Sequence, residues 1–174
     1  MNRRFCIAHF IAAISVMASA WFAWRIACAP VAEAGGVPIV VIVNVSNPVG
    51  NLSTSELKKI FLSDRSRWDT GTAVAAVIPA QGAGDRTSFL KIVCGMRDAD
   101  FNKYFLQAAF SGKLTPPPKE VSNSAALKSF VATTPGAIGF IKGGDFHGDG
   151  SDGGVKAVRV DGIAAGDSDY KLRM

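Results

Sequence analysis

Residues 73–89 read A-V-A-A-V-I-P-A-Q-G-A-G-D-R-T-S-F, and the order of these residues decides the fold. Ala73 to Ile78 is an apolar run of strand length. Gln81 to Thr87 supplies turn formers, and Phe89, Leu90, Val93 and Met96 then recur at helical spacing. A strand delivered through a glycine turn into a helix is the building unit of α/β folds.

The same alternation extends both ways. Upstream, Val37 to Val43 (V-P-I-V-V-I-V) is a β-branched run of the kind covered on both faces, and Asn44 to Asn51 are turn formers. Ser53-Thr54-Ser55-Glu56 is a capping box ahead of Leu57, Ile60 and Phe61. Ser63 to Gly71 is polar except for Trp68 and reads as a loop pinned by one buried indole. Downstream, Phe101, Tyr104, Phe105, Ala108 and Ala109 trace one face of a helix that starts near Asp98 or Asp100 and stops at Ser111-Gly112.

Pro116-Pro117-Pro118 makes an extended linker, and Ser124 opens a fourth helix carrying Leu127, Phe130 and Val131. Thr134-Pro135-Gly136 breaks that helix before a strand, Ala137 to Ile141. A glycine-rich stretch, Gly143 to Gly154, then leads to a last strand, Val155 to Val160. The fold class is α/β, a three-layer sandwich of helices around a mostly parallel or mixed sheet.

Composition sets the outer bounds. The 174 residues are 48% apolar and 19% charged, which excludes a disordered chain, a collagen-like repeat and a polytopic membrane protein. Phe5 to Trp24 runs for 20 residues without a formal charge, between Arg3, Arg4 and Arg25, in the layout of a secretory leader. Cleavage is expected after Ala34, at Ala32-Glu33-Ala34, which makes 1–34 a signal peptide and sends 35–174 to the periplasm. The alternative is an uncleaved anchor, because 20 residues at helical rise match a hydrocarbon core of about 30 Å.

The remaining 140 residues fit one domain that buries roughly two thirds of its unfolded surface. Cys6 and Cys28 fall in the leader, so Cys94 has no partner and reads as a small buried hydrophobe. Losing Arg3, Arg4, Arg25 and Glu33 with the leader changes the net charge from +5 to +3. Basic residues are not clustered or interleaved with aromatics, so no nucleic-acid partner is expected.

Two constellations carry chemistry. Gly82, Ala83, Gly84, Asp85, Arg86 and Thr87 stand between a strand and a helix, where glycines admit close approach and helix-start N–H groups favour an anion. Arg86 and Thr87 add side-chain donors. The loop is too short for a phosphate loop of the nucleotide-binding type and lacks the third glycine of a dinucleotide fingerprint. The bland alternative is a tight turn with Asp85 as helix cap. Asp145 to Asp152 holds three carboxylates and the domain's one histidine, His147, at spacings that fit an ordinary turn better than a metal site. Without G-x-S-x-G or a second histidine, no enzyme and no cofactor are expected.

Taken together, Leu52 to Trp68 (L-S-T-S-E-L-K-K-I-F-L-S-D-R-S-R-W), Gly82 to Phe89, Thr134 to Ile141 (T-P-G-A-I-G-F-I) and Val158 to Gly162 resemble the periplasmic phosphate-binding proteins of ABC transporters and their shorter single-lobe relatives. The likeness covers most of residues 37–173. It implies a type II periplasmic-binding-protein-like fold, in which backbone N–H groups and hydroxyls hold an anion between two lobes. One lobe's length is present. The family's anion loop looks like R-x-D-G-S-G-T-T and lays its glycines on Gly82 and Gly84. Here Pro79 stands for the arginine, Gln81 for the aspartate, Ala83 for the serine and Asp85 for the threonine. A carboxylate at Asp85 opposes a phosphate 4 Å away by about 1 to 4 kcal/mol per unit charge. Either Arg86 compensates or the ligand has changed.

The resulting expectation is an exported, non-catalytic solute-binding domain that takes a small oxyanion such as phosphate and works with an envelope membrane protein such as an ABC permease. The alternative is a module that has lost its ligand and serves as an interaction or sensory partner in the cell envelope.

Overall fold

The computed structural model describes residues 36–112, 116–148 and 151–174. The expected leader 1–34 lies outside the described residues. Strand β1 (Ile39–Asn44) is buried along its whole length because it runs through the middle of the sheet. Its side chains alternate between two apolar layers, with Ile39, Val41 and Val43 on one face and Val40 and Ile42 on the other.

The other elements follow in chain order as β2 (Asn51–Leu52), α1 (Thr54–Phe61), β3 (Ala75–Pro79), α2 (Gly84–Phe89), α3 (Asp98–Phe110), β4 (Lys119–Val121), α4 (Ser124–Thr133), β5 (Ala137–Lys142), β6 (Ser151–Asp152), β7 (Val155–Ala157) and β8 (Arg159–Val160). The main sheet has the order β4-β3-β5-β1-β7-β6, and β2 pairs with β8 in a small second sheet. β3 is parallel to β4 and β5, whereas β1 is antiparallel to β5 and β7, so the sheet is mixed. α1, α2 and α3 bury Leu57, Phe61, Phe89, Phe101 and Phe105 on one face. α4 buries Leu127 and Val131 on the other. This is the expected three-layer sandwich. Among the described residues no helix is long and apolar enough to cross a membrane.

Local chemistry accounts for the helix ends. Ser53 Oγ accepts from the Glu56 N–H, and the Glu56 carboxylate accepts from the Ser53 N–H at 2.9 Å, completing the capping box of α1. Asp161 reaches the same helix start, accepting from the Thr54 N–H at 3.0 Å and the Thr54 hydroxyl at 2.7 Å. At the far end of α4, Asn44 Nδ2 donates to the carbonyls of Val131 at 2.9 Å and Ala132 at 2.7 Å, which the helix cannot satisfy itself. Phe89 stacks on Phe140 with centroids 3.8 Å apart, and Phe61 meets it edge-on at 4.8 Å, fixing α1 and α2 against β5. Beyond α2 the chain makes one π-helical turn, Leu90–Cys94, which ends at Gly95 with φ 70°. The Cys94 thiol is buried and pushed up to about 11 by desolvation, so it stays protonated at neutral pH.

The caps give acid lability a definite sign. Hydrogen bonds from Ser53, its backbone first, hold the Glu56 carboxyl below its ordinary value of 4.5, and those from Thr54 hold Asp161 below 3.8. Both groups bind protons more weakly folded than unfolded. Their contribution is therefore complete above about pH 5 and lost as pH falls through the folded values. The melting temperature should be level between pH 7 and about 5, then fall below about pH 4. Asp161→Asn should flatten that fall, as followed by circular dichroism.

Candidate functional site

The strand-to-helix loop is built as a turn on a strut. The Ala80 N–H donates to Val121 O at 2.8 Å, which carries the β3–β4 pairing one step past Pro79. The Ala83 N–H then closes a turn onto Ala80 O at 3.3 Å, with Gly82 at φ 83° in the third position, where a type II turn needs glycine. Ala83 is extended (φ −68°, ψ 131°) at the helix cap but offers only a methyl group. Gly84 opens α2, and nothing lies within 4 Å of where its Cβ would stand.

At this helix start the N–H groups of Gly84 and Asp85 have no intrahelical acceptor. The Arg86 N–H donates to Asp85 Oδ1 at 3.1 Å, and the Thr87 N–H donates to Ala83 O at 3.0 Å. Gly82, Gly84 and Thr87 are exposed, Ala83 is half-buried, and Asp85 and Arg86 are buried. Asp85 does not cap α2 in the usual way, since it sits one residue inside the helix and bonds its neighbour. Thr87 Oγ1 lies 3.3 Å from Ala83 O and 3.4 Å from Asp98 Oδ2.

Arg86 has a role that sequence reading did not assign. Its side chain is fully enclosed, and its guanidinium donates to Asp98, to Pro79 O at 2.9 Å, to Glu120 at 2.8 Å and to Asn102 at 3.3 Å. The Phe101 ring packs 5.9 Å from its Cζ. One side chain thus ties the end of β3 to α3 and β4, and what it gives the loop is position. Its donors are spent beneath the turn.

The glycine-rich segment also resolves into structure. Ser124 Oγ donates to Asp145 Oδ2 at 2.6 Å, while Lys128 Nζ bridges Asp145 O at 3.0 Å and Asp152 Oδ2 at 2.7 Å. The Lys128 hydrogen bond, helped by the His147 N–H, holds the Asp152 carboxyl below the usual carboxylate range. His147 is exposed, Asp149 and Gly150 lie outside the described residues, and among the described residues no three His, Cys, Asp or Glu side chains converge as a metal site. Trp68 is 3% exposed and donates Nε1–H to Gly136 O at 2.9 Å, the pinning role its isolation in a polar segment indicated.

The candidate loop forms an open shelf. Cavities of about 270 and 360 Å³ lie around Pro117 and Pro118, and neither is lined by residues 82–87. Asn47 escaped the sequence reading as one of several turn formers. It is 4% exposed, and its Nδ2 has no partner among the described residues, a state that costs about 1 to 3 kcal/mol in a dry site.

No protein-family model matches the sequence, nor does any curated protein. Solved structures do. A protein from Clostridium perfringens, assigned as a phosphate ABC transporter substrate-binding protein and holding phosphate, superposes with a TM-score of 0.62 at 25% identity, over 79% of this chain and 53% of that one. An ABC-type phosphate transport receptor from Vibrio cholerae gives 0.59 at 21% identity, over 75% and 49%. A phosphate-binding protein from Stenotrophomonas maltophilia gives 0.57 at 15% identity, over 75% and 41%. The chain spans about half the length of the structures it matches. Mixed sheet, helix placement and these superpositions agree: the domain has the periplasmic-binding-protein-like fold of the phosphate ABC transporter substrate-binding proteins, at the length of a single lobe.

Proposed function

We propose that the domain binds a small oxyanion, phosphate or a relative of it, on the shelf formed by Gly82, Ala83, Gly84, Asp85, Arg86 and Thr87. The observation that carries this reading is the pair of N–H groups, of Gly84 and Asp85, that head α2 at an exposed glycine turn. The Thr87 hydroxyl adds a donor at the rim. Arg86 acts by holding the loop from below.

In this reading residues 1–34 are a signal peptide that sends the domain to the periplasm, and an ABC permease in the envelope is its membrane partner. The reaction is capture and release without bond chemistry, so the domain is a binding module and no enzyme.

Isothermal titration with phosphate and sulfate tests the reading. Saturable heat is expected, together with thermal stabilisation that reaches about 2.7 kcal/mol at one hundred times the dissociation constant. Asp85→Asn removes the charge that opposes the guest and keeps an oxygen for the Arg86 N–H. It should tighten binding about fivefold or more, the equivalent of the 1 kcal/mol lower bound at 4 Å. Absence of any response to oxyanions in both proteins would reject the proposal.

One observation favours a second reading. A buried carboxylate already occupies the Arg86 N–H, and no charged donor is left free on the loop. A module that has exchanged its ligand for an envelope protein partner would look the same, and it would show no oxyanion heat even as Asp85→Asn.

A further inference from the structure

A gap in the outer edge of β3 makes a second site. Successive residues of a strand turn their N–H and C=O groups to opposite edges. The Ala75 N–H donates inward, to Gly136 O at 3.0 Å, on the side where β5 pairs. The N–H groups of Val74 and Ala80 donate outward, to Ser66 O at 2.9 Å and to Val121 O at 2.8 Å. Val74 C=O and Ala76 N–H therefore face the outer edge as well.

β4 covers that edge only from Val77 onward, where Lys119 stands opposite. Two residues earlier the same parallel register would set Pro117 beside Ala75, and a proline has no N–H with which to continue the ladder. The Ala76 N–H and the Val74 C=O are left without a hydrogen-bond partner among the described residues.

The gap opens into a cleft of about 270 Å³, lined by Val74, Ala75 and Ala76 and by Arg65, Lys119 and Phe130 among others. Two bases and no acid line it. Arg65 is already balanced by Glu56 and Asp69. The Lys119 ammonium lies 4.2 Å from the centre of the Phe130 ring and joins no ion pair among the described residues.

The missing ladder residue defines the guest. A residue lying beside Ala75 and running parallel to β3 donates its N–H to Val74 O and accepts from the Ala76 N–H. Its chain must end there, because Lys119 already holds the place beside Val77. The group at Ala76 is then a terminal carboxylate, with Lys119 as its countercharge. The nitrogen is an amide, since no acid lines the cleft to balance an ammonium. The guest's side chain falls on the face of Ala75, where Phe130 also packs against the apolar cluster, so it is apolar too. We propose that this cleft binds a small N-acyl amino acid with an apolar side chain, held by Val74 O, the Ala76 N–H and Lys119. The site is separate from the oxyanion shelf and does not depend on it.

The test is a titration of the ¹⁵N-labelled full chain with N-acetyl-leucine, read at the Ala76 backbone amide. A saturable shift is expected there. The cleft is open to solvent and Lys119 is exposed, so the charge pair is worth about fivefold in affinity. N-acetyl-leucinamide, which lacks the carboxylate, and leucine, which brings an ammonium, should each bind about fivefold more weakly. Lys119→Met keeps the stem over Phe130 and removes the charge. It should weaken N-acetyl-leucine about fivefold and leave N-acetyl-leucinamide unchanged. The proposal is overturned if the Ala76 signal does not saturate, if phosphate moves it as strongly, if acid, amide and free leucine bind alike, or if Lys119→Met binds the acid like the parent.

Discussion

Gly136→Ala is expected to remove cooperative folding or to cost about 3 kcal/mol or more of the 5 to 15 that such a domain has. A Cβ at residue 136 would stand 1.9 Å from Ala73 O and 3.2 Å from Ala73 C, which are backbone atoms and cannot swing aside. The Ala73 segment must retreat, and it leads directly into β3. Retreat also breaks the two bonds Gly136 O accepts, from Trp68 Nε1 at 2.9 Å and from the Ala75 N–H at 3.0 Å. Loop, strand start and indole anchor fail together. Gly84→Ala is the matched control, since its Cβ would enter open space and should be tolerated. Urea unfolding followed by circular dichroism measures both, and a Gly136→Ala midpoint equal to the parent's would show that the contact is not rigid.

Arg86→Met should cost about 3 kcal/mol, near the low end for breaking a buried ion pair. The methionine fills much of the space but offers no donor, so Pro79 O loses its bond and two carboxylates lose their cation. The cost stays at the low end because those carboxylates are not sealed in. Asp98 keeps 24% and Glu120 45% of its side-chain exposure, so water can take over part of the arginine's work. Arg86→Lys should recover only part of the loss, because one ammonium cannot reach four acceptors on three elements. The denaturation midpoint decides it. A midpoint unchanged in both variants would mean that the network is ornamental and the loop is held by its turn alone.

The skeleton was legible in the sequence because its signals are local and redundant. Five consecutive apolar positions at Ile39 to Val43 needed a strand buried on both faces, S-T-S-E needed a helix start, and an indole alone in a polar stretch needed a place to hide. Short edge elements were less visible. β4 is Lys119-Glu120-Val121, with a single half-buried residue, so its pairing to β3 rests on backbone bonds that leave no apolar pattern. The run Val155 to Val160 reads as one strand but serves two sheets, breaking at Val158, where β7 leaves β1 and β8 takes up β2.

The candidate site was legible only in its backbone. Gly82 at positive φ, the extended Ala83 and the helix start at Gly84 are what a glycine turn ahead of a helix requires. The direction of Arg86 was not readable, because an arginine beside a glycine turn looks the same in sequence whether it faces a guest or the core. Its partners Asp98 and Glu120 lie 12 and 34 residues away. Asn44 and Asn47 were hidden likewise among turn formers, although one caps α4 and the other lines a cavity. The resemblance segment T-P-G-A-I-G-F-I owes its character to packing: Gly136 fits against Ala73, and a Cβ on Gly139 would meet Leu127 at 2.7 Å.

The enclosed guanidinium has an electrical consequence. Beneath the shelf the Arg86 cation sits among the carboxylates of Asp85, Asp98 and Glu120, so this cluster's own contribution to the potential met by an arriving oxyanion is negative. Attraction then comes from peptide dipoles at contact range, and repulsion acts from farther out. Added sodium chloride shortens the reach of that repulsion, from about 30 Å at 0.01 M to about 8 Å at 0.15 M, and leaves the contact bonds in place. Phosphate affinity should therefore rise with ionic strength, opposite to the trend of a receptor that draws its anion with an exposed arginine.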